Sequence, residues 1–251
     1  MIDIHCHILP GVDDGAQDME QALELARALV ADGTSAAVAT PHAFKGLYEA
    51  TDEEVRAAYD ALRDELARQG IPLRLELGRE KAVADIDVAE IAQLRACAIT
   101  PAGRYLLVET SLVEPPPMLA EVLFRVALGG FAPIVAHPER VVAYQRRPSL
   151  FEPLARQRIL AQLDAASLLG RHGRLARRTA RTFLQRGWAQ LVASDAHGPG
   201  RKYYSLRAAA EVAASWLGEE AARVLTEDNP AAVLEGREVR EIPCAARGRG
   251  G

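Results

Sequence analysis

Short apolar runs recur along the chain, and each is followed by a stretch whose apolar positions return every three or four residues. MIDIH (1–5) precedes a helical pattern over 17–32, where Leu23, Ala26, Leu29 and Val30 share one face and Gly33 ends it. SAAVAT (35–40) precedes a charged helix over 51–69, with Thr51 as N-cap and Glu54 at the capping-box position. IPLRLEL (71–77) is followed by a helix over 85–96, and RYLLVET (104–110) by three prolines and a helix over 118–128. APIVAH (132–137) precedes a helix around 149–160, AQLDA (161–165) one over 174–186, and AQLVASD (189–195) one over 204–217. NPAAVLEG (229–236) reads as an N-capped terminal helix, and the residues beyond it, 237–251, as a flexible tail.

Seven strand-then-helix units predict parallel strands covered by helices, as a barrel or as a doubly wound sheet. The polar residues separate the two. His5, His7, His42, Glu80, Glu109, His137, Asp164, Asp195 and His197 all fall at or just beyond strand ends; of the six histidines, only His172 does not. A barrel gathers these ends on one face, where barrel enzymes carry their sites. The expected fold is a single-domain α/β structure, a (β/α)7 barrel.

Composition changes this picture little. A chain of 251 residues, 49% hydrophobic, can bury one full core. A net charge of −4 gives no general attraction to nucleic acid or anionic lipid, so anion recognition has to be local. Three widely spaced cysteines (Cys6, Cys97, Cys244) fit a reducing compartment better than a disulfide frame. No basic, then apolar, leader opens the sequence, and the most apolar window, 118–136, carries Glu121, Arg125 and a Gly-Gly break. A cytoplasmic protein with no membrane span is expected.

The candidate chemistry starts in HCH. Strand periodicity points His5 and His7 one way and Cys6 the other, into the core. Imidazoles and carboxylates together suit Mn, Fe or Zn, and no cysteine pair suggests a structural zinc cage. Five histidines with Asp14, Glu80, Glu109 and Asp195 are too many donors for one tetrahedral ion, so two to three divalent ions are implied. Three would bring six positive charges against four carboxylates, an excess that favours a dianion such as a phosphate monoester. Arg140 and Arg201 stand shortly after His137 and His197, where guanidinium groups would grip phosphate bidentately; with 27 Arg among the 30 basic residues, either is equally readable as a surface charge. Asp13-Asp14-Gly15 is readable as a turn or as a ligand source, Asp164 as a ligand or an orienting group, and Lys45 as an entrance residue or an ordinary loop position.

DIHCHILPGVDDGA, ATPHAFKGLYE, LELGRE, LLVETS, PIVAHPERV, QLDAASLLGRHG and LVASDAHG, in this order over 1–236, closely resemble the polymerase-and-histidinol-phosphatase (PHP) domain. More narrowly they are similar to its bacterial protein-tyrosine phosphatases of capsule and exopolysaccharide gene clusters. The resemblance implies a distorted seven-stranded barrel over 1–236 and a trinuclear, usually manganese-preferring centre. It implies His5, His7, Glu80 and Asp195 on one ion, Glu80, Glu109 and His137 on a second, and Asp14, His42 and His197 on a third. Arg140 and Arg201 match positions that grip the phosphoryl group. The implied reaction is attack on phosphorus by hydroxide generated between metal ions, on phosphotyrosine of a bacterial tyrosine kinase that controls polysaccharide export. Three positions depart from the family pattern: Lys81 after Glu80, Ala43 after His42, and Asp164 where Asn is usual. Cys6 lacks the C-x5-R context of a thiol phosphatase, since residue 12 is Val. A PHP phosphatase for a small ester such as histidinol phosphate is the alternative within the same chemistry. An amidohydrolase and a non-catalytic module are more distant ones.

Overall fold

The computed structural model describes residues 1–200 and 204–242. Nine strand segments pair only in parallel: β1 (Ile2–Cys6), β2 (Ala36–Ala39), β3 (His42–Ala43), β4 (Arg74–Leu77), β5 (Glu80–Ala82), β6 (Tyr105–Glu109), β7 (Ala132–Ala136), β8 (Leu160–Asp164) and β9 (Leu191–Ala193). They form a sheet of order β1-β2-β4 and a sheet of order β3-β5-β6-β7-β8-β9. β2 and β3 are parts of one strand broken at Thr40-Pro41, and β4 and β5 parts of another broken at Gly78-Arg79. Proline cannot donate to a ladder, which accounts for the first break. Nine segments therefore occupy the seven strand positions expected. The residues after β9 return to β1: Asp195 N donates to His5 O at 2.9 Å and His7 N to Ala196 O at 2.8 Å.

Alternation along the strands separates two apolar surfaces. Tyr105, Leu107, Ile134, Ala136, Leu191 and Ala193 join Ile4 and Val38 in one cluster, enclosed by the strands. Their neighbours Leu106, Val108, Val135, Leu163 and Val192 pack against the covering helices. Each fully buried aliphatic side chain contributes about 1.5–3 kcal/mol, so strands apolar on both faces leave most of the room for polar side chains at their ends.

The covering helices match the apolar periodicity in five places: Met19–Ala31, Asp52–Arg68, Leu119–Leu128, Gly173–Gln185 and Leu206–Leu217. Both halves of the capping box form at Thr51 and Glu54. The expected helix over 85–96 is not one: Val83–Asp85 and Ile91–Cys97 are 3-10 turns, and Leu94 is the one residue buried in the second, too little apolar surface to hold a helix on the sheet. The expected helix over 149–160 is a 3-10 turn, Pro148–Phe151, and one short helix, Glu152–Arg156, because the chain turns at Arg158 (φ +61°) to enter β8 at Leu160. Asn229 is not an N-cap. It lies inside the helix Asn229–Leu234, and its amide donates to Gln190 O and Arg240 O at 2.9 Å. That bond, one from Tyr105 Oη to Arg237 O, and the burial of Ile242 fasten 237–242, where a flexible tail was expected; its remainder lies outside the described residues. No helix among the described residues is long and apolar enough to cross a membrane.

Candidate metal centre

The pairing of β1 with β2 shifts register between Asp3 and Cys6. Ile4 consequently joins the enclosed cluster while Cys6 joins the helix-side one, and Cys6 Sγ approaches Val38 O at 3.4 Å. His5 and His7 both face the C-terminal ends of the strands. Each is oriented through Nδ1: His5 by Gln162 Oε1 at 2.9 Å, and His7 by Asp13 Oδ2 at 2.7 Å. A partner on Nδ1 leaves Nε2 as the ligating nitrogen. Asp13 also accepts from Gly15 N (2.9 Å) and His42 N (3.0 Å), so one carboxylate shapes the Asp-Asp-Gly turn and fixes two histidines' positions. The glycine is needed for close approach, since a Cβ at position 15 would stand 2.1 Å from His7 O.

Four atoms meet between the ends of β1, β5 and β9. His5 Nε2 lies 3.2 Å from His7 Nε2, 3.4 Å from Glu80 Oε2 and 3.2 Å from Asp195 Oδ1. His7 Nε2 lies 3.5 and 3.4 Å from the same two oxygens. These separations, 3.2 to 3.5 Å, are those of neighbouring donors on one divalent ion with bonds of about 2 Å to nitrogen and oxygen. Glu80 Oε2 and Asp195 Oδ1 are buried and receive no hydrogen bond, as oxygens that bond a cation would be. This donor set fits a metal ion.

Glu80 faces two ways. Its Oε1 is 3.1 Å from His137 Nε2, which is 3.6 Å from Glu109 Oε1. On the other side His42 Nδ1 is 2.9 Å from Glu80 Oε2, while His42 Nε2 and His197 Nε2 lie 3.4 and 3.5 Å from Asp14 Oδ1. All nine residues expected as ligands therefore stand in one array, in overlapping groups whose donor atoms lie within 4.8 Å of one another. His137 (φ +32°) and Asp195 (φ +51°) occupy left-handed backbone as the chain leaves the strands, a strain of about 1–3 kcal/mol each that surrounding contacts must hold.

The field of this array suits cations. Burial disfavours a charged His5, yet Glu80 and Asp195 outweigh it and push the imidazole up to about 9. Asp14 and Glu80 likewise overcome burial and push His42 up to about 9. Burial raises the Glu80 and Asp195 carboxyls, but the histidines hold both well below the usual range. Glu109 is raised, by burial first and then by Glu80.

Arg140 reaches the rim as expected. Its Nη1 donates to Asp195 Oδ2 at 2.7 Å and lies 3.4 Å from Asp164 Oδ2. Arg201 lies outside the described residues. Asp164 also accepts from Ala166 N at 2.9 Å and faces His172 Nδ1 at 3.3 Å, which brings the one histidine away from the strand ends to the edge of the site. Lys81 Nζ approaches Ala43 O at 3.4 Å, and Lys45 N donates to Asp85 Oδ2 at 2.8 Å. Sequence reasoning missed Asp13, Gln162 and Glu139, the last of which is buried and accepts from Asp164 N at 2.9 Å. The i, i+6 spacing of His7 and Asp13 has no regular-element signature; only the turn dipeptide marks it.

A family model described as capsular polysaccharide synthesis, CpsB/CapC, matches residues 1–235. The chain is 32% identical to the tyrosine-protein phosphatase YwqE of Bacillus subtilis over 91% of this chain and 89% of that one. It is 26% identical to the tyrosine-protein phosphatase CpsB of Streptococcus pneumoniae over 93% and 98%. In three dimensions it is similar to a crystal structure from work on YwqE and CpsB, described as unique metal-dependent tyrosine phosphatases, with TM-score 0.89 and 30% identity over 96% of this chain and 97% of that one. The parallel α/β fold with its array of imidazoles and carboxylates, and a match over nearly the whole described length, lead to one conclusion: the chain belongs to the CpsB/CapC family of capsular polysaccharide synthesis proteins.

Proposed function

We propose that this protein is a metal-dependent protein-tyrosine phosphatase of capsule or exopolysaccharide synthesis, acting in the cytoplasm on phosphotyrosine of a bacterial tyrosine kinase. The observation that carries the reading is the close approach of His5 and His7 Nε2 to Glu80 and Asp195, whose two facing carboxylate oxygens are buried and unbonded. In this reading His5, His7, Glu80 and Asp195 hold one ion, Glu80, Glu109 and His137 a second, and Asp14, His42 and His197 a third. Manganese is the favoured ion, and Fe or Zn also suits the donors.

When bound, divalent ions supply Lewis acidity toward phosphoryl oxygens and lower the pKa of water towards about 7. The chain's own residues do the rest. Gln162 and Asp13 hold the imidazoles of His5 and His7 in the ligating tautomer. Arg140, anchored through Nη1 to Asp195, presents the remainder of its fork to the phosphoryl group. Arg201 is assigned the same task. Cys6 takes no part: burial pushes its thiol well above the usual range, and its sulfur faces Val38 O.

The reading is tested by offering the Mn-loaded protein a phosphotyrosine peptide, a phosphoserine peptide and histidinol phosphate side by side. A higher kcat/KM on the phosphotyrosine peptide is expected. A strong preference for histidinol phosphate would overturn it.

A further inference from the structure

Beside the metal-ligating array lies a cleft of about 450 Å³ that the chemistry above leaves unused. Phe44, Val83, Leu112 and Pro116 wall it, and Glu109 and Thr110 lie at its base. Each of these comes from the C-terminal end of β3, β5 or β6 or from the residues after it, so the cleft opens on the same face as the ligands and shares Glu109 with them. Its walls are mainly apolar. The Thr110 hydroxyl is buried and has no hydrogen-bond partner, although the residue is only 5% exposed. A buried hydroxyl left unbonded costs about 1–3 kcal/mol.

We infer that this cleft is the subsite for the aromatic ring of the substrate, with Leu112 and Val83 as specificity-determining residues. The inference rests on the phosphatase reading and deepens it. With the phosphoryl group at the array, a tyrosyl ester carries a flat apolar ring between phosphorus and the peptide, whereas a seryl ester carries one methylene. Only the first fills an apolar cleft adjoining Glu109. Phe44 is held in place for this: its ring lies 4.5 Å from that of His42, and the loop it begins closes back by a hydrogen bond from Tyr48 N to Phe44 O. Leu112, 38% exposed, is fixed by its backbone, whose carbonyl accepts from Val142 N at 2.8 Å.

The test compares wild-type protein with Leu112→Asn, which makes the wall polar, and Ala84→Phe, which narrows the cleft from an exposed position. Neither residue is a member of the array. Initial rates with a phosphotyrosine peptide, para-nitrophenyl phosphate and a phosphoserine peptide are measured, with inhibition by inorganic phosphate and metal content as controls. In both variants KM for the two aryl esters rises about 10-fold, in line with the loss of an apolar contact. Rates with the seryl ester, phosphate inhibition and metal content stay at wild-type levels. Unchanged aryl KM values in both variants overturn the subsite, and so does an equal rise for aryl ester and inorganic phosphate. Wild-type protein that does not favour aryl over seryl esters overturns the tyrosine-phosphatase reading itself, a separate outcome.

Discussion

Asp13 binds Nδ1 of His7 at 2.7 Å, and the same carboxylate receives the backbone N–H of His42. One buried side chain thus aligns two of the histidines of the array. Asp13→Asn keeps the shape but removes the charge that favours the ligating tautomer. A loss of about 10–100-fold in metal affinity or activity is expected, with Asp13→Ala at least as severe. Titration of the apo protein with Mn, followed by activity, measures it; wild-type affinity in both variants would show that His7 orients itself.

Glu80 offers Oε1 to His137 and Oε2 to His5, His7 and His42. Glu80→Gln replaces a shared anion by a neutral amide and should lower bound metal by more than one ion per chain, whereas Glu109→Gln lowers it by one. Phosphotyrosine turnover should fall more than about 100-fold in the first variant, beyond the loss typical of an orienting partner. Elemental analysis of both variants after desalting distinguishes them. Equal metal content in wild type and Glu80→Gln would remove Glu80 from its shared position.

Cys6 sits between two of those histidines yet belongs to the helix-side core. Cys6→Ser should leave kcat/KM at the wild-type level while lowering stability by about 1–3 kcal/mol, the cost of placing a hydroxyl in an apolar site. Thermal unfolding would register this as roughly 2–4 °C per kcal/mol for a chain of this size. Abolished activity with intact metal content would instead point to thiol chemistry.

Arg140 bonds Asp195 at 2.7 Å and stands over the array. Arg140→Lys keeps the charge but loses the fork, so KM for phosphotyrosine peptide should rise and inhibition by phosphate weaken. Arg140→Ala should also lower kcat, since the guanidinium then no longer meets charge developing on the phosphoryl oxygens. Steady-state kinetics with metal content checked in parallel separates these effects. Unaltered KM and phosphate inhibition in both variants would place Arg140 in a purely structural role.

Much of the site was legible in the sequence for one physical reason. Strands buried on both faces gather polar residues chiefly at their ends, so His5, Glu109, His137 and Asp195 declare themselves by position. Strand periodicity carried His7 and Cys6 correctly even across the register shift in β1. What periodicity does not encode stayed hidden. Asp13 and Gln162 act through partners fixed by the turn and by the neighbouring strand, and His172 reaches Asp164 only because a short helix, Ala165–Leu168, follows β8 directly. Residues 85–96 carry helical spacing, but Leu94 alone has a place in the core within Ile91–Cys97, and tertiary packing overrides the spacing.

The central claim is that this array binds metal and that the metal is required to hydrolyse phosphotyrosine. Metal content and phosphotyrosine turnover measured on one preparation, before and after EDTA dialysis and again after adding Mn, test it most directly. Metal and activity should be lost together and return together with Mn. Full turnover by a metal-free preparation would contradict it.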